Sequence, residues 1–388
     1  MCHDSGVKTS LRVLHCIHSL NERDGGPARS VPALAEAEAL AGADVRVWSC
    51  QPPTIRLEEY HATRFVTGPL RTVISKTWTP DIIHDHGLWL PSNHSTAQAG
   101  RQNRIPRVVS PRGMLEPWCL QHRRYRKRFA WQLYQQRDLV TSSCLHATSE
   151  REAEQFRQLG LQQPIVMLPN GVTVPEAIHV RDQSETERPG EREVLFLSRI
   201  HPVKGLPHLV EAWQQVVQEG WRLRIVGGDE GGHKSEIKEL VLKKRLGSSV
   251  MIGDAVHSDD KWKLLRDADV LILPSFSENF GIVVTEALAM GTPVITTTGT
   301  PWSEIRTRRC GWYVEPESRR IADALCTAMS ISKEELTEMG DRGCQWVREA
   351  FAWPNIGIKM LKSYQWLLGR GVIEDCILSG ESCDRPAA

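Results

Sequence analysis

The stretch 270–295 constrains the fold more than any other part of the chain, because it combines a strand, a loop, a helix and a second strand. Val270–Leu273 is a short apolar run closed by Pro274, which is typical of a strand buried on both faces of a parallel sheet. From Phe280 onward, apolar residues recur at helical spacing, and Gly291 stands where a helix commonly ends. The stretch therefore predicts an α/β fold with a mostly parallel sheet.

The start of the predicted helix has the chemistry of a phosphate site. Amide groups at a helix N-terminus carry a partial positive charge, and Gly281 has no side chain to keep a phosphate from the backbone. Glu278 and Glu286 flank this point, roughly 12 Å apart at about 1.5 Å per residue. Two carboxylates around a diphosphate suit the hydroxyls of a nucleotide-sugar. The alternative is that Glu278 is an ordinary N-terminal acid and Glu286 a solvated helix residue.

Length, charge and cysteine content exclude several classes of protein. The 388 residues favour two domains over one. The net charge of +1 argues against a general nucleic-acid binder, so we expect no nucleic-acid partner. The ten cysteines include no C-x-x-C pair, which favours reduced thiols and a cytoplasmic location. No apolar run approaches 18 residues, and the N-terminus lacks the pattern of a signal peptide.

The run Ser-Phe-Ser-Glu-Asn-Phe-Gly-Ile-Val-Val-Thr-Glu-Ala at 275–287 resembles the E-x7-E signature of the retaining GT-B glycosyltransferase family 4. The resemblance extends from about residue 11 to about residue 368. It implies a GT-B fold, in which two Rossmann-like domains have the nucleotide-sugar site in the cleft between them. It also implies transfer of a sugar to an acceptor hydroxyl with retention of configuration, without a cofactor or a metal. Glu278 would be catalytic, and Asn279, Phe280, Gly281 and Glu286 would bind the donor.

The domain prediction combines this resemblance with composition. Strands alternate with helices over 11–180, and a polar, charged, proline-containing run follows. A helix near the end would cross back to the first domain, as in the family. The predicted segments are an N-terminal acceptor-binding domain 1–180, a linker 181–193, a C-terminal nucleotide-sugar-binding domain 194–353, the crossing helix 354–370, and a disordered tail 371–388.

Two loops of the first domain are candidate site elements. Gly25 and Gly26 open a helix but do not form G-x-G-x-x-G, so they are either a plain turn or, as the resemblance implies, a loop beside the donor diphosphate. His86 ends a predicted strand in His84-Asp85-His86. It could be a metal ligand, a structural histidine or, as in the family, a catalytic contact to the transferred sugar.

The run Pro-Arg-Gly-Met-Leu-Glu-Pro-Trp at 111–118 looks like that of a subset making bacterial surface polysaccharides. This resemblance assigns Arg112 and Gly113 to the acceptor cleft. We therefore expect a role in exopolysaccharide, capsule or lipopolysaccharide synthesis, with a lipid-linked or oligosaccharide acceptor.

In the second domain, Arg199 and Lys204 follow the first predicted strand. The resemblance makes them the catalytic pair that holds the donor diphosphate, and two cations can neutralise a leaving group without metal. The alternative is a pair of solvated cations. Gly253 lies where family members stack the base. The D-x-D triplet 267–269 matches a metal motif in letters only, and we interpret it as structural.

The basic segment 121–137 is predicted to be an amphipathic helix. Tyr125, Phe129 and Leu133 recur at i, i+4 and i+8, with cations on the other face. We expect the apolar face to pack on the first domain's sheet. The cations Arg123, Arg124, Lys127 and Arg128 are then either merely solvated or face an anionic membrane surface, which would place the protein peripherally at the inner face of the cell membrane.

Other functions stay open at this point. A nucleotide-sugar epimerase or hydrolase can share the GT-B architecture and would act without an acceptor. A non-catalytic nucleotide-sugar-binding protein is a further alternative, although Arg199, Lys204, Glu278 and Glu286 are all present. The sequence leaves the sugar, the base, the acceptor linkage and the oligomeric state undetermined.

Overall fold

The structure, a computed structural model, describes residues 10–21, 25–121, 124–173, 192–256 and 258–379. Contacts divide the chain into two compact units, one of residues 1–171 together with 353–388, the other of residues 172–352. The strands within the described ranges are β1 (Arg12–Ile17), β2 (Asp44–Ser49), β3 (Arg64–Val66), β4 (Ile82–His86), β5 (Arg107–Ser110), β6 (Cys144–Ala147), β7 (Ile165–Met167), β8 (Arg192–Leu197), β9 (Trp221–Val226), β10 (Val250–Gly253), β11 (Val270–Leu273), β12 (Val294–Thr297), β13 (Gly311–Val314) and β14 (Ile377–Leu378).

Helices connect most of these strands, as expected where parallel strands follow one another along the chain. They are α1 (Pro27–Leu40), α2 (Leu70–Val73), α3 (Pro91–Asn103), α4 (Pro117–Gln121), α5 (Arg124–Ala130), α6 (Gln136–Val140), α7 (Glu150–Gln158), α8 (Leu206–Val216), α9 (His233–Lys243), α10 (Ser258–Asp267), α11 (Ile282–Ala289), α12 (Glu304–Thr307), α13 (Ser318–Ser330), α14 (Lys333–Ala350) and α15 (Trp353–Leu367). Short 3-10 turns lie at Leu57–Glu59 and Pro202–Lys204, and a π-helical turn at Trp131–Gln135.

The first unit is built on an eight-stranded sheet in the order β14-β7-β6-β5-β4-β1-β2-β3. All neighbours are parallel except β14, which runs antiparallel to β7. The central strands β4 and β5 are buried along their whole length, because helices cover both faces of such a sheet. Parallel strands end at one edge, so His86 and the loop after Ser110 lie at the same edge.

Helix α15 belongs to the first unit and packs against α1. Gly357 makes this close packing possible, since a Cβ there would lie 2.8 Å from the backbone carbon of Ala37. The chain then continues into β14, where Ile377 is buried and pairs with Val166. The prediction that the tail 371–388 is disordered is therefore wrong for β14. Backbone pairing with an edge strand and burial of an apolar side chain order this segment.

The second unit has a six-stranded sheet in the order β10-β9-β8-β11-β12-β13, with every pair parallel. Its apolar core includes every residue of β11, as the sequence predicts for a strand buried on both faces. The first strand begins at Arg192, two residues before the predicted domain start, because Arg192 and Glu193 pair with Trp221 and Arg222 of β9. Most of the predicted linker lies outside the described residues.

No helix in the described ranges is long and apolar enough to cross a membrane.

Candidate functional site

In the second unit, two loops at the carboxyl edge of the sheet bring Lys204 and Glu278 together. Lys204 ends the 3-10 turn after β8, and its Nζ donates a hydrogen bond to Oε2 of Glu278 in the loop after β11. Both side chains are largely buried, with 7% and 17% of their surface exposed. Ser275 Oγ donates to the same carboxylate oxygen at 3.4 Å. Two predicted site residues 74 positions apart thus form one ion pair.

Two glycines allow this close approach. Gly205 follows Lys204 with φ +68°, and an added Cβ would lie 2.2 Å from the carbonyl oxygen of Pro274. Gly281 precedes the first residue of α11 with φ +74°, where a Cβ would lie 3.1 Å from Cγ of Glu278. Both positions need a left-handed backbone without a side chain. As a result, the positive end of α11 adjoins the Lys204–Glu278 pair.

A second ion pair involves the other predicted glutamate. Glu286 accepts a hydrogen bond at 2.6 Å from Nζ of Lys261, and both side chains are about nine-tenths buried. The Lys261 ammonium also lies 4.3 Å from the ring centroid of Trp262. Sequence reasoning missed Lys261. Helix α10 has one other lysine, Lys263, and several acids, and nothing in its local pattern distinguishes the lysine that reaches Glu286.

The predicted cation Arg199 has a different environment. Its Nη1 donates to Oε2 of Glu230 at 2.5 Å, but the two side chains are 57% and 45% exposed. Exposed pairs of this kind contribute little to stability. Glu230 lies in the glycine-rich run after β9, so an acid of that loop holds the arginine that was expected to bind phosphate.

The remaining predicted donor-binding residues differ in their burial and contacts. The side chain of Phe280 is buried against Trp302, with ring centroids 5.0 Å apart, and Trp302 Nε1 donates to the Phe280 carbonyl oxygen. The Phe280 side chain therefore belongs to the core. Asn279 lies between Glu278 and Phe280 in the same loop. Gly253 ends β10, and its carbonyl oxygen accepts a hydrogen bond from Lys234 Nζ at 2.7 Å.

The D-x-D triplet has structural contacts. Asp269 Oδ2 accepts a hydrogen bond from the backbone N–H of Glu193 at 2.8 Å, at the start of the central strand. Asp267 pairs with its neighbour Arg266 at 3.0 Å. The Asp269 contact joins the turn between α10 and β11 to β8, whereas the Asp267 contact lies within α10.

In the first unit, His86 belongs to a buried series of hydrogen-bonded side chains, which we name the histidine chain. The register of β1 and β4 places His15 opposite His84, and burial is complete or nearly so for all three. The network continues through Glu38 of α1 and Tyr364 of α15, which are 326 residues apart in sequence. The hydrogen bonds in order are Arg112 Nη2–His86 Nδ1 (3.2 Å), His86 Nε2–His15 Nδ1 (2.9 Å), His15 Nε2–Glu38 Oε2 (2.8 Å), Glu38 Oε1–Tyr364 OH (3.1 Å), Tyr364 OH–His84 Nδ1 (2.6 Å), His84 Nε2–His146 Nδ1 (3.3 Å) and His146 Nε2–Leu168 O (2.9 Å).

The two ends of this histidine chain fix its proton count. Arg112 can only donate and the carbonyl of Leu168 can only accept, so every link between them needs one hydrogen. With a carboxylate at Glu38 and four neutral imidazoles, one link would place two acceptors opposite each other. The chain therefore holds one further proton. It lies on Glu38, with every bond pointing from Arg112 to Leu168, or on the imidazole of His84 or His146.

Burial opposes positive charge along this chain. Desolvation lowers the pKa of His84 and His86 well below the usual value, and the neighbouring imidazoles and Arg112 act in the same direction. Desolvation also lowers the pKa of His146 to about 3. The pKa of Tyr364 is raised, first by burial and then by Glu38. Burial thus favours neutral imidazoles at His84, His86 and His146.

The same histidines could be considered for a metal. Ligand atoms of His15, His84 and His86 all lie within 4.8 Å of one another. Each of their ring nitrogens, however, already has a hydrogen-bond partner in the histidine chain. Hydrogen bonds therefore account for all three histidines, and the expectation that the site binds no metal remains a prediction.

Arg112 closes the histidine chain at the edge of the sheet. It has φ +57°, and its Nη1 donates to Asn170 Oδ1 at 2.6 Å and Ser30 Oγ at 3.2 Å. Burial lowers its pKa to about 10. The backbone N–H of Gly113 donates to the buried carboxylate of Glu152 at 2.7 Å. These contacts fix the loop that was predicted to line the acceptor cleft.

The glycine loop before α1 is open. Gly25 has φ +80°, and an added Cβ would meet no atom within 4 Å. The carbonyl of Gly26 accepts hydrogen bonds from the amides of Arg29 and Ser30, as at an ordinary helix start with Pro27 in its first turn. Residues 22–24, which precede this loop, lie outside the described ranges.

The basic segment departs from its predicted packing. Tyr125, Phe129 and Leu133 are 74%, 65% and 62% exposed, so the expectation that this face packs on the sheet is wrong. Tyr125 and Phe129 lie in α5, and the π-helical turn that follows changes which side chains face inward only from Trp131 onward. Gln135 is buried instead. Arg123 lies outside the described residues.

Comparison with known proteins gives two family matches. The family described as "Glycosyl transferases group 1" matches residues 180–346, and "Glycosyl transferase 4-like domain" matches residues 10–171. The D-inositol 3-phosphate glycosyltransferase of Jonesia denitrificans is 26% identical, over 88% of this chain and 91% of its own. That of Segniliparus rotundus is 31% identical, over 48% of this chain and only 42% of its own.

Solved structures show the same fold. Sucrose-phosphate synthase from Thermosynechococcus elongatus superposes with a TM-score of 0.74 at 22% identity, over 92% of this chain and 99% of that chain. Anabaena HepE, solved in complex with UDP and glucose, has a TM-score of 0.71 at 18% identity, over 91% and 99% of the two chains.

Proposed function

Because the chain belongs to the group 1 glycosyltransferases and has a GT-B fold of two Rossmann-like domains, we propose that it uses a nucleoside-diphosphate sugar as donor and retains its anomeric configuration. The donor binds mainly to the second unit. The acceptor is a lipid-linked sugar or an oligosaccharide in the synthesis of a surface polysaccharide. HepE, a structural neighbour solved with UDP and glucose, supports a nucleotide-sugar as donor.

The largely buried Lys204–Glu278 pair beside the start of α11 carries this proposal. An ion pair removed from water gains little stability over an apolar contact, since desolvation offsets its Coulomb attraction. A diphosphate at the helix start would offer Lys204 a more highly charged partner. Lys204 would then move from the carboxylate to the phosphate, and Glu278 would be released to accept hydrogen bonds from the sugar hydroxyls.

Lys261 and Arg199 extend this proposal. Lys261 holds the Glu286 carboxylate at 2.6 Å, which would orient it towards the ribose diol of the donor. Arg199 is half exposed in its pair with Glu230, so it could turn to the diphosphate at little cost. The backbone of Asn279, Phe280 and Gly281 would pass along the phosphates.

The transfer itself would use the donor's own phosphate as base. The bond from the anomeric carbon to the phosphate oxygen breaks, the acceptor oxygen bonds to the same face, and its proton passes to the leaving phosphate. Cations and helix amides would stabilise the charge that grows on the diphosphate. His86 would orient the sugar, and this contact needs Arg112 to move, because Arg112 and His15 occupy both nitrogens of its ring.

The membrane surface is proposed as a further partner. Cations of the segment 124–137 would face anionic headgroups at the inner face of the cell membrane, bringing the acceptor-binding unit to a lipid-linked substrate. Co-sedimentation should be stronger with phosphatidylglycerol vesicles than with neutral ones and should weaken with salt.

A donor screen tests the proposed function. Thermal shift with UDP-, GDP- and ADP-sugars should identify one nucleotide that stabilises the protein, and Lys261→Ala should reduce the shift. The matched control is Lys263→Ala, which removes an exposed lysine from the same helix. Absence of a shift with every nucleotide-sugar, or an equal loss in the two variants, would contradict the donor site.

A further inference from the structure

A pocket in the first unit lies beside the basic segment and shares no lining residue with the candidate donor site or the histidine chain. Its volume is about 530 Å³, within the roughly 300–1,000 Å³ of small-molecule sites. Its apolar walls are Trp89, Leu120, Trp131 and Leu159, and we name it the aromatic pocket. The lining is mostly apolar, so its occupant should be mostly apolar too.

Trp89 is held in a strained backbone conformation at this pocket. Its φ of +74° lies in the left-handed region, which bulky residues rarely adopt. Its N–H donates to Gln135 Oε1 at 2.8 Å, and its carbonyl accepts from Tyr134 OH at 2.7 Å. Strain of this kind persists where the surroundings impose it, and it is concentrated at ligand sites.

The residues that hold Trp89 come from the π-helical turn Trp131–Gln135. The same turn presents Trp131, whose ring centroid lies 6.2 Å from that of Trp89. Wide turns of this type interrupt α-helices mostly at functional sites. Two unusual backbone features therefore cooperate to build one aromatic wall.

Cations lie at the rim of the aromatic pocket. Arg124, Lys127 and Arg128 line it, and Lys127 Nζ lies 5.5 Å from the ring centroid of Trp89 while donating to the carbonyl of Cys119. The segment 124–137 contains five cations and no acid: Arg124, Arg126, Lys127, Arg128 and Arg137. An occupant with an anionic group next to its apolar part would match this charge.

Exposed apolar side chains surround the same place. Tyr125 lines the pocket and is exposed, and Phe129 and Leu133 continue the exposed face along the segment. Contiguous apolar side chains amid cations are typical of surfaces that lie in the headgroup region of a membrane. A lipid chain could thus enter the pocket without crossing water.

We propose that the aromatic pocket binds one hydrocarbon chain of an anionic membrane lipid, whose phosphate headgroup is held by the cations at the rim. The proposal deepens the proposed function and rests on it in one respect, namely that this lipid carries the acceptor sugar. Binding itself requires neither the donor nor the transfer reaction.

Titration calorimetry of the full-length protein with single-chain amphiphiles below their micelle concentration tests the proposal. Decyl phosphate should bind one per chain, and hexyl phosphate at least tenfold more weakly, because each buried methylene favours binding by up to about fourfold. Decyl maltoside should bind more weakly than decyl phosphate, since it lacks the charge. Inorganic phosphate should give no measurable heat.

Variants separate the pocket from the surrounding surface. Leu159→Trp and Leu120→Trp should fill the pocket and abolish decyl phosphate binding, with folding checked by circular dichroism. The matched control Phe129→Ser with Leu133→Ser removes exposed apolar side chains that do not line the pocket. It should retain decyl phosphate binding but bind phosphatidylglycerol vesicles more weakly.

Binding of many amphiphiles per chain, equal binding of the decyl and hexyl compounds, or undiminished binding by both folded filling variants would overturn the proposal. Because these titrations contain no sugar donor, their failure would leave the donor screen unaffected. Failure of the donor screen with intact decyl phosphate binding would instead remove the transferase assignment and keep the lipid site.

Discussion

The candidate sites of the two units handle buried polarity in opposite ways. In the first unit, the histidine chain joins four imidazoles, Glu38 and Tyr364 into hydrogen bonds that satisfy one another. In the second unit, lysines and glutamates meet as ion pairs at the end of the sheet. The closed hydrogen-bond network has no unpaired group to offer a new partner unless Arg112 leaves His86, whereas an ion pair can exchange one carboxylate for a phosphate. We therefore expect the first site to be the more rigid one and the second to exchange partners.

The largest expected effect is at the Lys204–Glu278 site of the second unit. Lys204→Ala should lower turnover by about 10²–10³, because one electrostatic contact to a growing charge is typically worth that much. Arg199→Ala should act in the same direction. Lys263→Ala, also in the second unit, is the control and should stay near wild type. Turnover within twofold of wild type in both Lys204→Ala and Arg199→Ala, measured as sugar transferred per enzyme, would rule out this role.

The rigid site should respond in stability. Glu38→Ala should lower the free energy of unfolding by about 3 kcal/mol, because it leaves buried donors and acceptors unpaired. Glu38→Gln should lower the free energy of unfolding by less than about 1 kcal/mol. Its amide oxygen can accept from His15 and its amide N–H can donate to Tyr364 OH, so both hydrogen bonds of Glu38 have a substitute. Urea unfolding measures both, with the exposed Glu58→Gln as control. A larger loss for Gln than for Ala would show that the chain needs a carboxylate.

Acid should destabilise the protein through the histidine chain. The folded-state pKa values of His84, His86 and His146 are lowered. Near pH 5, these three histidines therefore bind three protons in the unfolded protein that they do not bind in the folded protein. Burial raises the pKa of Asp85 to about 6 despite Arg107, and there the folded state binds about one proton more. The further proton of the histidine chain is also bound only in the folded state, which leaves a difference of about one proton. Stability therefore falls by about 1.4 kcal/mol per pH unit near pH 5.

Urea unfolding at pH 5, 6, 7 and 8 checks this slope. The loss should begin as pH falls below the ordinary histidine value of about 6.5. His146→Gln removes one of the three groups and should reduce the slope by about one proton. A stability that is constant from pH 8 to pH 5 would contradict the buried neutral chain.

The smallest expected effect is that of a chelator on the rate of sugar transfer at the second unit's site. Helix amides and the cations Arg199 and Lys204 are proposed to neutralise the diphosphate, so excess EDTA should leave the transfer rate within about twofold of the untreated enzyme. Loss of transfer that Mg²⁺ or Mn²⁺ restores would show that the second unit needs a metal. It would also remove the contrast between the two sites, because a metal ion would then hold the phosphates in place of a lysine that changes partner.

Much of the fold is predictable because its signals are local. The bounds of α13 and α14 follow from helical spacing, and β11 with α11 follows from an apolar run, a polar loop and Gly281. The order of strand 377–378 was missed, since a two-residue apolar run gives no pattern. The exposure of Tyr125 and Phe129 in α5 was also missed, because helical spacing shows that one face is apolar but not whether the fold packs that face.

By itself, the sequence determined the two candidate sites, namely the helix that starts after Gly281 and the strand that ends with His86. Tertiary structure alone decided the partners: Lys261 for Glu286, Glu230 for Arg199, and Glu38 with Tyr364 for the histidines. Backbone geometry and apolar periodicity act between residues a few positions apart, so they leave a local trace in the sequence. A hydrogen bond between side chains 326 positions apart leaves none, because only the packing of α15 on α1 brings Tyr364 to Glu38.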